Sequence, residues 1–213
     1  MSKLRVAPVS RRETLPFLIG IHYAARTPSI SQSFGLYNAD DLIGVITYGT
    51  PSSAPLRSGI CGPDLAGYVT ELNRLCLRDN GKNQASFLVS NSIKMIGGNR
   101  VIVSYADPDQ GHIGVVYQAC SFLYCGLSAK RTDWKVKGME HLHGQTIADE
   151  FRGTKNRAAA MREKYGDDFY LSPRTRKHRY VRITGTRGFR ANALRALRYD
   201  VEAYPKLEAK ENT

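Results

Sequence analysis

The chain has 213 residues, 42% of them hydrophobic, enough for one substantial domain with a buried core. Its net charge of +12 is uneven: residues 130–213 hold 20 Lys/Arg against 11 Asp/Glu, and residues 1–129 contribute only +3. These figures exclude a disordered or membrane-spanning chain. They point the C-terminal part toward a polyanion, nucleic acid first, with a plain basic surface as the alternative.

Residues 4–7 read as a short strand, followed by a helix that Ser10 can cap. Arg11-Arg12 before the apolar run 15–21 does not make an export signal, because the run is short and ends at His22-Tyr23. A cytoplasmic protein is expected. Residues 34–37 and 42–48 flank Asn38-Ala39-Asp40-Asp41, a connection of hairpin type. Residues 49–63, rich in Pro, Ser and Gly, read as an irregular exposed loop. A long strand over 68–78 and a turn over 79–83 come next. A helix over 85–96 then follows, with Asn83 or Ser86 as cap and Gly97-Gly98 as stop. After it come a strand over 100–105, a helix over 112–122 and a short strand over 123–126. Beyond Lys130, residues 145–165 read as a charged helix, 180–184 as a strand and 190–197 as a short basic helix. Strands alternating with helices imply a mixed sheet with crossover helices on its faces. Cys61, Cys76, Cys120 and Cys125 lack CxxC spacing and read as core thiols.

The richest stretch is SYADPDQGHIGVVYQACSFLYCG, residues 104–126. It sets Asp107, His112, Tyr117 and Gln118 beside the turn residues Pro108, Gly111 and Gly114, where the strand 100–105 ends. Asp107-Pro108 is a helix-start signal, and Ile113, Val116, Tyr117 and Cys120 recur as one apolar helical face. A strand, a polar loop and a helix with inward polar groups is a frequent ligand-binding place in α/β folds.

The succession of elements resembles the GNAT acyltransferase fold. His22-Tyr23, FGLYNADDLIGVITYG at 34–49, ELNRL at 71–75, YADPDQGHIGVVYQA at 105–119, KHRYV at 177–181 and AYPK at 203–206 together resemble the bacteriophage Mom family. The resemblance covers most of residues 20–206. It implies an α/β fold with a GNAT-like mixed, mostly antiparallel central sheet, flanking helices and a basic C-terminal extension. Residues 1–130 would be the catalytic core, and 131–213 the extension, packed on the core and contacting DNA. It further implies an enzyme that converts adenine in phage DNA to N6-carbamoylmethyladenine, which protects that DNA from host restriction. His22, Tyr23, Asp107 and Tyr117 are the site positions it carries, along with an iron-like metal for which His22 and Asp107 are the ligands.

Each of these residues has a plainer reading. His22 can be a structural histidine at the end of an apolar run, Asp107 a helix cap, and Tyr117 a core tyrosine. His112 can be a neutral base near a helix start or a surface residue. Glu71, charged within an apolar strand, needs a partner or an open face, and Arg74 projects to the opposite side of an ideal strand. Asn83 and Ser86 stand where such folds bring the donor, or simply cap a helix. His141 and His143 form an H-x-H pair without a carboxylate, which is weak metal evidence. The junction RDNGKNQAS carries one glycine, where coenzyme A-binding relatives of the fold use a Gly-rich phosphate loop. Coenzyme A is therefore doubtful, and an acyl or glycyl donor borne by an RNA or a small molecule is the alternative. Arg174, Arg176, Lys177 and Arg179, with Tyr170 and Tyr180 for stacking, are expected to track double-stranded DNA whose adenine is flipped or locally unpaired. The rival readings are an acyltransferase acting on a protein or small amine, and a non-catalytic DNA-binding protein.

Overall fold

Apolar runs that alternate with capped helices set the element order. The computed structural model describes residues 4–206 apart from 24, 80 and 143. The chain divides into two units, Met1–Leu127 with Lys177–Thr213, and Ser128–Arg176. The first unit contains β1 (Leu4–Pro8), α1 (Arg11–Gly20), β2 (Gln32–Asn38), β3 (Asp41–Gly49) and α2 (Ala54–Cys61). It continues with β4 (Val69–Leu77), α3 (Gln84–Ile96), β5 (Arg100–Ala106), α4 (Val115–Ala119) and β6 (Leu123–Leu127). The second unit holds β7 (Arg131–Val136), α5 (Gly144–Asp149), α6 (Arg157–Tyr165) and β8 (Phe169–Arg174). The chain then returns to the first unit as β9 (His178–Thr184) and α7 (Arg187–Arg195).

The central sheet runs β1-β2-β3-β4-β5-β9-β6, antiparallel throughout except for the parallel pair β4 and β5. The mixed, mostly antiparallel sheet with flanking helices is as expected. Against one face, Leu88 and Val89 of α3 and Tyr117 and Cys120 around α4 pack on Leu36, Ile46, Tyr48, Leu72, Ile102 and Tyr180. Against the other, Ile60 and Cys61 of α2 and Ala193 of α7 pack on Val69, Val101, Val103 and Val181. Phe17 and Leu18 of α1 cover Val45 and Cys76 on that same side. Each cluster removes large aliphatic side chains from water, at roughly 1.5–3 kcal/mol apiece. Among the described residues no helix is long and apolar enough to cross a membrane.

Several expectations need correction. Residues 49–63 are not all loop: Ser53 accepts from Leu56 N–H at 3.3 Å and Pro55 lies in the first turn, so a cap and an N-terminal proline start α2. The helix expected over 112–122 is cut to five residues. Asp107 caps only a 3-10 turn at Pro108–Gln110, and Gly111 (φ 67°) and Gly114 (φ 84°) take left-handed conformations that end one turn before the next begins. The charged helix expected over 145–165 is two helices, α5 and α6, separated by a turn-rich stretch. The strands β7 and β8 were not foreseen. The separate unit covers residues 128–176, and β9, from the stretch after it, is an inner strand between β5 and β6.

Gly114 has a second constraint: a Cβ there would strike the ring of Tyr180, whose hydroxyl donates to the Ile113 carbonyl at 2.5 Å. Gly114→Ala is therefore expected to cost about 2–3 kcal/mol, from positive φ plus overpacking. Urea denaturation measures this, and a cost under about 0.5 kcal/mol would show the turn can relax.

Candidate active site

β4 and β5 pair only from Val69 to Glu71 against Val101 to Val103. Beyond that register the strands part, and a side chain takes over the link: Ser104 Oγ donates to the Leu72 carbonyl at 2.9 Å. Ser104 also stands beside the Tyr117 hydroxyl, where it offsets part of the burial that raises that phenol. The Tyr117 ring is fixed between Phe122 (5.4 Å) and Tyr180 (5.3 Å). Burial pushes its pKa up to about 12, so it keeps its proton at neutral pH.

The charged groups stand on the face opposite α3. Register shifts between Thr47 and Tyr48, which pair with Arg74 and Leu72, leave Asn73 as an extra residue in β4. This bulge reverses the side-chain alternation, so Glu71 and Arg74 share one face. The expectation that they point apart is corrected for that reason. Asn73 secures the bulge by accepting from Thr47 Oγ1 at 2.6 Å and donating to the Ser29 carbonyl at 2.7 Å. Burial raises the Glu71 carboxyl, while Arg74 and Lys177 oppose the rise; Arg74 in turn is lowered by burial.

His22 and Tyr23 follow α1 and meet this face. Their rings stack at 4.4 Å, and Tyr23, 51% exposed, has His112 at its edge at 6.5 Å. Burial first, then the charges of Arg74, His112 and Lys177, press the His22 pKa down to about 4. Asp107 is buried at the end of β5 with Lys177 Nζ 2.6 Å from its carboxylate, and the same carboxylate accepts from Asp109 N–H at 3.2 Å. The residue thus caps the following turn and pairs with Lys177 at once. His22, Tyr23, Glu71, Asp107, His112 and Tyr117 are thus brought around the mouth of one wedge.

Other expected positions fall elsewhere. Asn83 begins α3 in a left-handed conformation with no side-chain cap bond, and Ser86 Oγ donates back to the Asn83 carbonyl at 3.1 Å. Neither residue caps the helix as expected. The basic cluster expected to meet DNA is divided. Arg179 is buried, with its guanidinium 3.7 Å from the Tyr199 ring and Nη1 donating to the Cys125 carbonyl at 3.0 Å. Lys177 belongs to Asp107. Tyr180 is wholly buried and cannot stack on a base, whereas Tyr170 is exposed. Arg174 and Arg176 lie in the second unit. His143 lies outside the described residues.

An iron-like metal fits these residues poorly. The described residues contain no cluster of three or more His, Cys, Asp and Glu with ligand geometry. His22 is surrounded by cations and Asp107 already neutralises Lys177, a setting that repels a further positive ion.

Sequence reading missed Ser104, the pairing role of Lys177 and a strap formed by the C-terminal stretch. Gln118 Nε2 lies within donating reach of Tyr180 Oη (3.0 Å) and the Pro205 carbonyl (3.3 Å), and Tyr204 Oη donates to the Phe122 carbonyl at 2.8 Å. AYPK thereby braces the helix that carries Tyr117. The only signal was the polar Gln118 beside an apolar helical face.

The neutrality of His22 is measurable. With a folded value near 4 against the ordinary 6.5, the unfolded chain binds the proton first. The group therefore takes nothing from stability above about pH 6.5 and draws it down as pH falls toward 4. Imidazole 15N NMR should give a His22 midpoint near 4. A midpoint at or above the ordinary value would refute the cationic surround.

A family model described as the Mom protein family matches residues 3–206. "Methylcarbamoylase mom" of Escherichia phage Mu is 29% identical over 220 residues, spanning 96% of this chain and 84% of that protein. Solved structures that resemble the chain are acetyltransferases. A putative one from Acinetobacter baylyi ADP1 has a TM-score of 0.49 and 13% identity, over 88% of this chain and 95% of the other. One from Staphylococcus aureus Mu50 has a TM-score of 0.46 and 14% identity, over 85% and 99%.

Proposed function

The chain belongs to the Mom protein family, and we propose that it is a phage DNA-modifying transferase that converts adenine to N6-carbamoylmethyladenine. It would act in the cytoplasm of the infected bacterial host, on double-stranded DNA. A carbamoylmethyl group on N6 covers the adenine N6/N7 edge that restriction nucleases read in the major groove. The observation that carries the reading is the split between β4 and β5. There a protonated phenol, a carboxyl raised by burial and a neutral imidazole meet beside an exposed aromatic ring.

Adenine N6 inside a duplex is out of reach of such a wedge, so the base is flipped or locally unpaired. Tyr23, stacked with the His22 ring and half exposed, suits stacking of an extruded base. The N6 lone pair is delocalised into the ring, and attack requires removal of an N6 proton. Glu71 is suited to accept it, because burial raises its affinity for protons. Tyr117, which burial keeps protonated at neutral pH, supplies its proton to the departing donor group.

The donor we favour is an activated glycyl ester, carried by an RNA or a small molecule. N6 bonds to the glycyl carbonyl carbon, the ester C–O bond breaks, and the carrier leaves with the proton from Tyr117. The glycine amine then attacks adenine C6 and the original C6–N6 bond breaks. A proton passes from the attacking nitrogen to the departing amide nitrogen. The result is –NH–CH2–CO–NH2 on C6, with no external oxidant or reductant and no metal. The single glycine of RDNGKNQAS, at the start of α3, weighs against coenzyme A as the carrier. Asn83 and Ser86 at that helix start remain the donor-side positions in this scheme.

Mass spectrometry of nucleosides from bacteria expressing the chain tests the reading. The wild type should yield an adenine heavier by one carbamoylmethyl group. Tyr117→Phe and Glu71→Gln should each lower its amount by about a hundredfold or more. Unmodified DNA from a folded wild type would overturn the assignment. Growth on 15N-glycine separates the donors: label at the ring-attached nitrogen supports the glycyl ester, and an unlabelled nitrogen excludes it.

A further inference from the structure

The second unit carries a feature that the modification chemistry does not use. At the open end of its β7–β8 hairpin lies a groove of about 580 Å3, lined by Lys130, Arg131, Thr132, Pro173, Arg174 and Arg176. Four of these six residues are cations, one is a hydroxyl and none is acidic. Arg131 and Arg174 are direct cross-strand partners. Like charges opposite one another destabilise a two-stranded ribbon, and such a ribbon is marginal to begin with. Relief from within is slight: Asp133 stands 3.9 Å from Arg174 Nη1, and both are partly exposed. Arg176 Nε donates to the Ser128 carbonyl at 2.6 Å, which holds its guanidinium in orientation at the groove.

We infer that this groove binds the sugar–phosphate backbone of duplex DNA, with Lys130, Arg131, Arg174 and Arg176 as the phosphate-contacting residues. The inference rests on the DNA-modifying reading given above and deepens it by assigning the grip to the Ser128–Arg176 unit. Phosphodiester oxygens neutralise the cross-strand Arg131–Arg174 pair, beside which Asp133 sets one partly exposed carboxylate. Arginine forks and a lysine point charge supply position without base identity, so the grip is independent of sequence. Thr132 adds a hydroxyl of the kind that commonly meets phosphate. Arg179 and Lys177, though next in the sequence, are engaged elsewhere and contribute nothing to it.

The test is equilibrium binding of the full chain to a fluorescent 30-base-pair duplex of arbitrary sequence, read by anisotropy over a salt series. The variant carries Lys130→Gln, Arg131→Gln, Arg174→Gln and Arg176→Gln. A pair control carries Arg187→Gln and Arg190→Gln on the exposed face of α7. Each phosphate contact contributes about 0.9 to the slope of log affinity against log salt. The groove variant should lose about 3.6 from that slope and at least tenfold in affinity at moderate salt, while the α7 variant stays near wild type. All four residues are at the surface or half-buried, and circular dichroism checks that the fold survives. Unchanged affinity and slope in the groove variant would overturn the inference. So would a wild type that binds duplex no better than a single-stranded RNA of equal length. The nucleoside assay is scored apart from this. Groove-dependent binding without modified adenine would count against the proposed reaction alone, and modification with groove-independent binding against the groove alone.

Discussion

The site depends on one interruption of the backbone ladder. β4 and β5 are the only parallel pair in the sheet, and they hold together for three residues before parting. A ladder that stops in the middle of a sheet leaves carbonyl and amide groups that need partners. Ser104 meets the first of them at Leu72, and that serine stands beside the Tyr117 phenol. The repair of the gap thus lies next to the buried hydroxyl. The Asn73 bulge just beyond it turns Glu71 and Arg74 to the same side. Without the gap there is no wedge, and without the bulge Arg74 would point away from the Glu71 carboxyl.

Around this wedge the charges are arranged to keep some groups neutral and others fixed. Burial of the mouth, with Arg74, His112 and Lys177, holds His22 unprotonated, and Lys177 pairs with Asp107, which also caps the following turn. Arg74 and Lys177 counteract part of the burial penalty at Glu71. A mouth of this kind favours an anionic or electron-rich reactant over another cation. That preference agrees with a nucleobase approaching on a phosphate backbone and disagrees with a bound iron ion.

Much of the first unit was legible from pattern alone. Ser10 with Glu13, the hairpin around Asn38–Asp41 and the helix ended by Gly97-Gly98 follow from local capping and turn chemistry, which acts over a few residues. The failures were of two kinds. Residues 54–61 look like loop because Pro and Ser are frequent in loops, yet at N1 and N-cap they begin helices. The pairing of Glu71 with Arg74 was misjudged because strand periodicity assumes no bulge, and the extra residue Asn73 is specified by tertiary contacts to Thr47 and Ser29. Site residues close in sequence, such as Asp107 and Tyr117, could be nominated. The pairing of Lys177 with Asp107 and the bond from Ser104 to Leu72 could not, because they arise from long-range contacts around β9 and from the gap. The basic run 174–179 misled most: charge is visible in a sequence, but the burial of Arg179 under Tyr199 is not.

The position of β9 has a further consequence for how the chain is made. Its ladder partners β5 and β6 leave the ribosome well before it does, with the whole Ser128–Arg176 unit in between. Until His178–Thr184 arrives, two strands of the main sheet expose bare pairing edges, and the clusters on both faces lack Tyr180 and Val181. Long-range strand insertion is slow, and an unpaired edge recruits other chains. Because Leu127 and His178 pair directly once β9 docks, the intervening unit leaves and re-enters the sheet at one point, as a closed loop. The yield of active protein in a crowded infected cell is then a race between the last strand to be synthesised and aggregation at the slot it must fill.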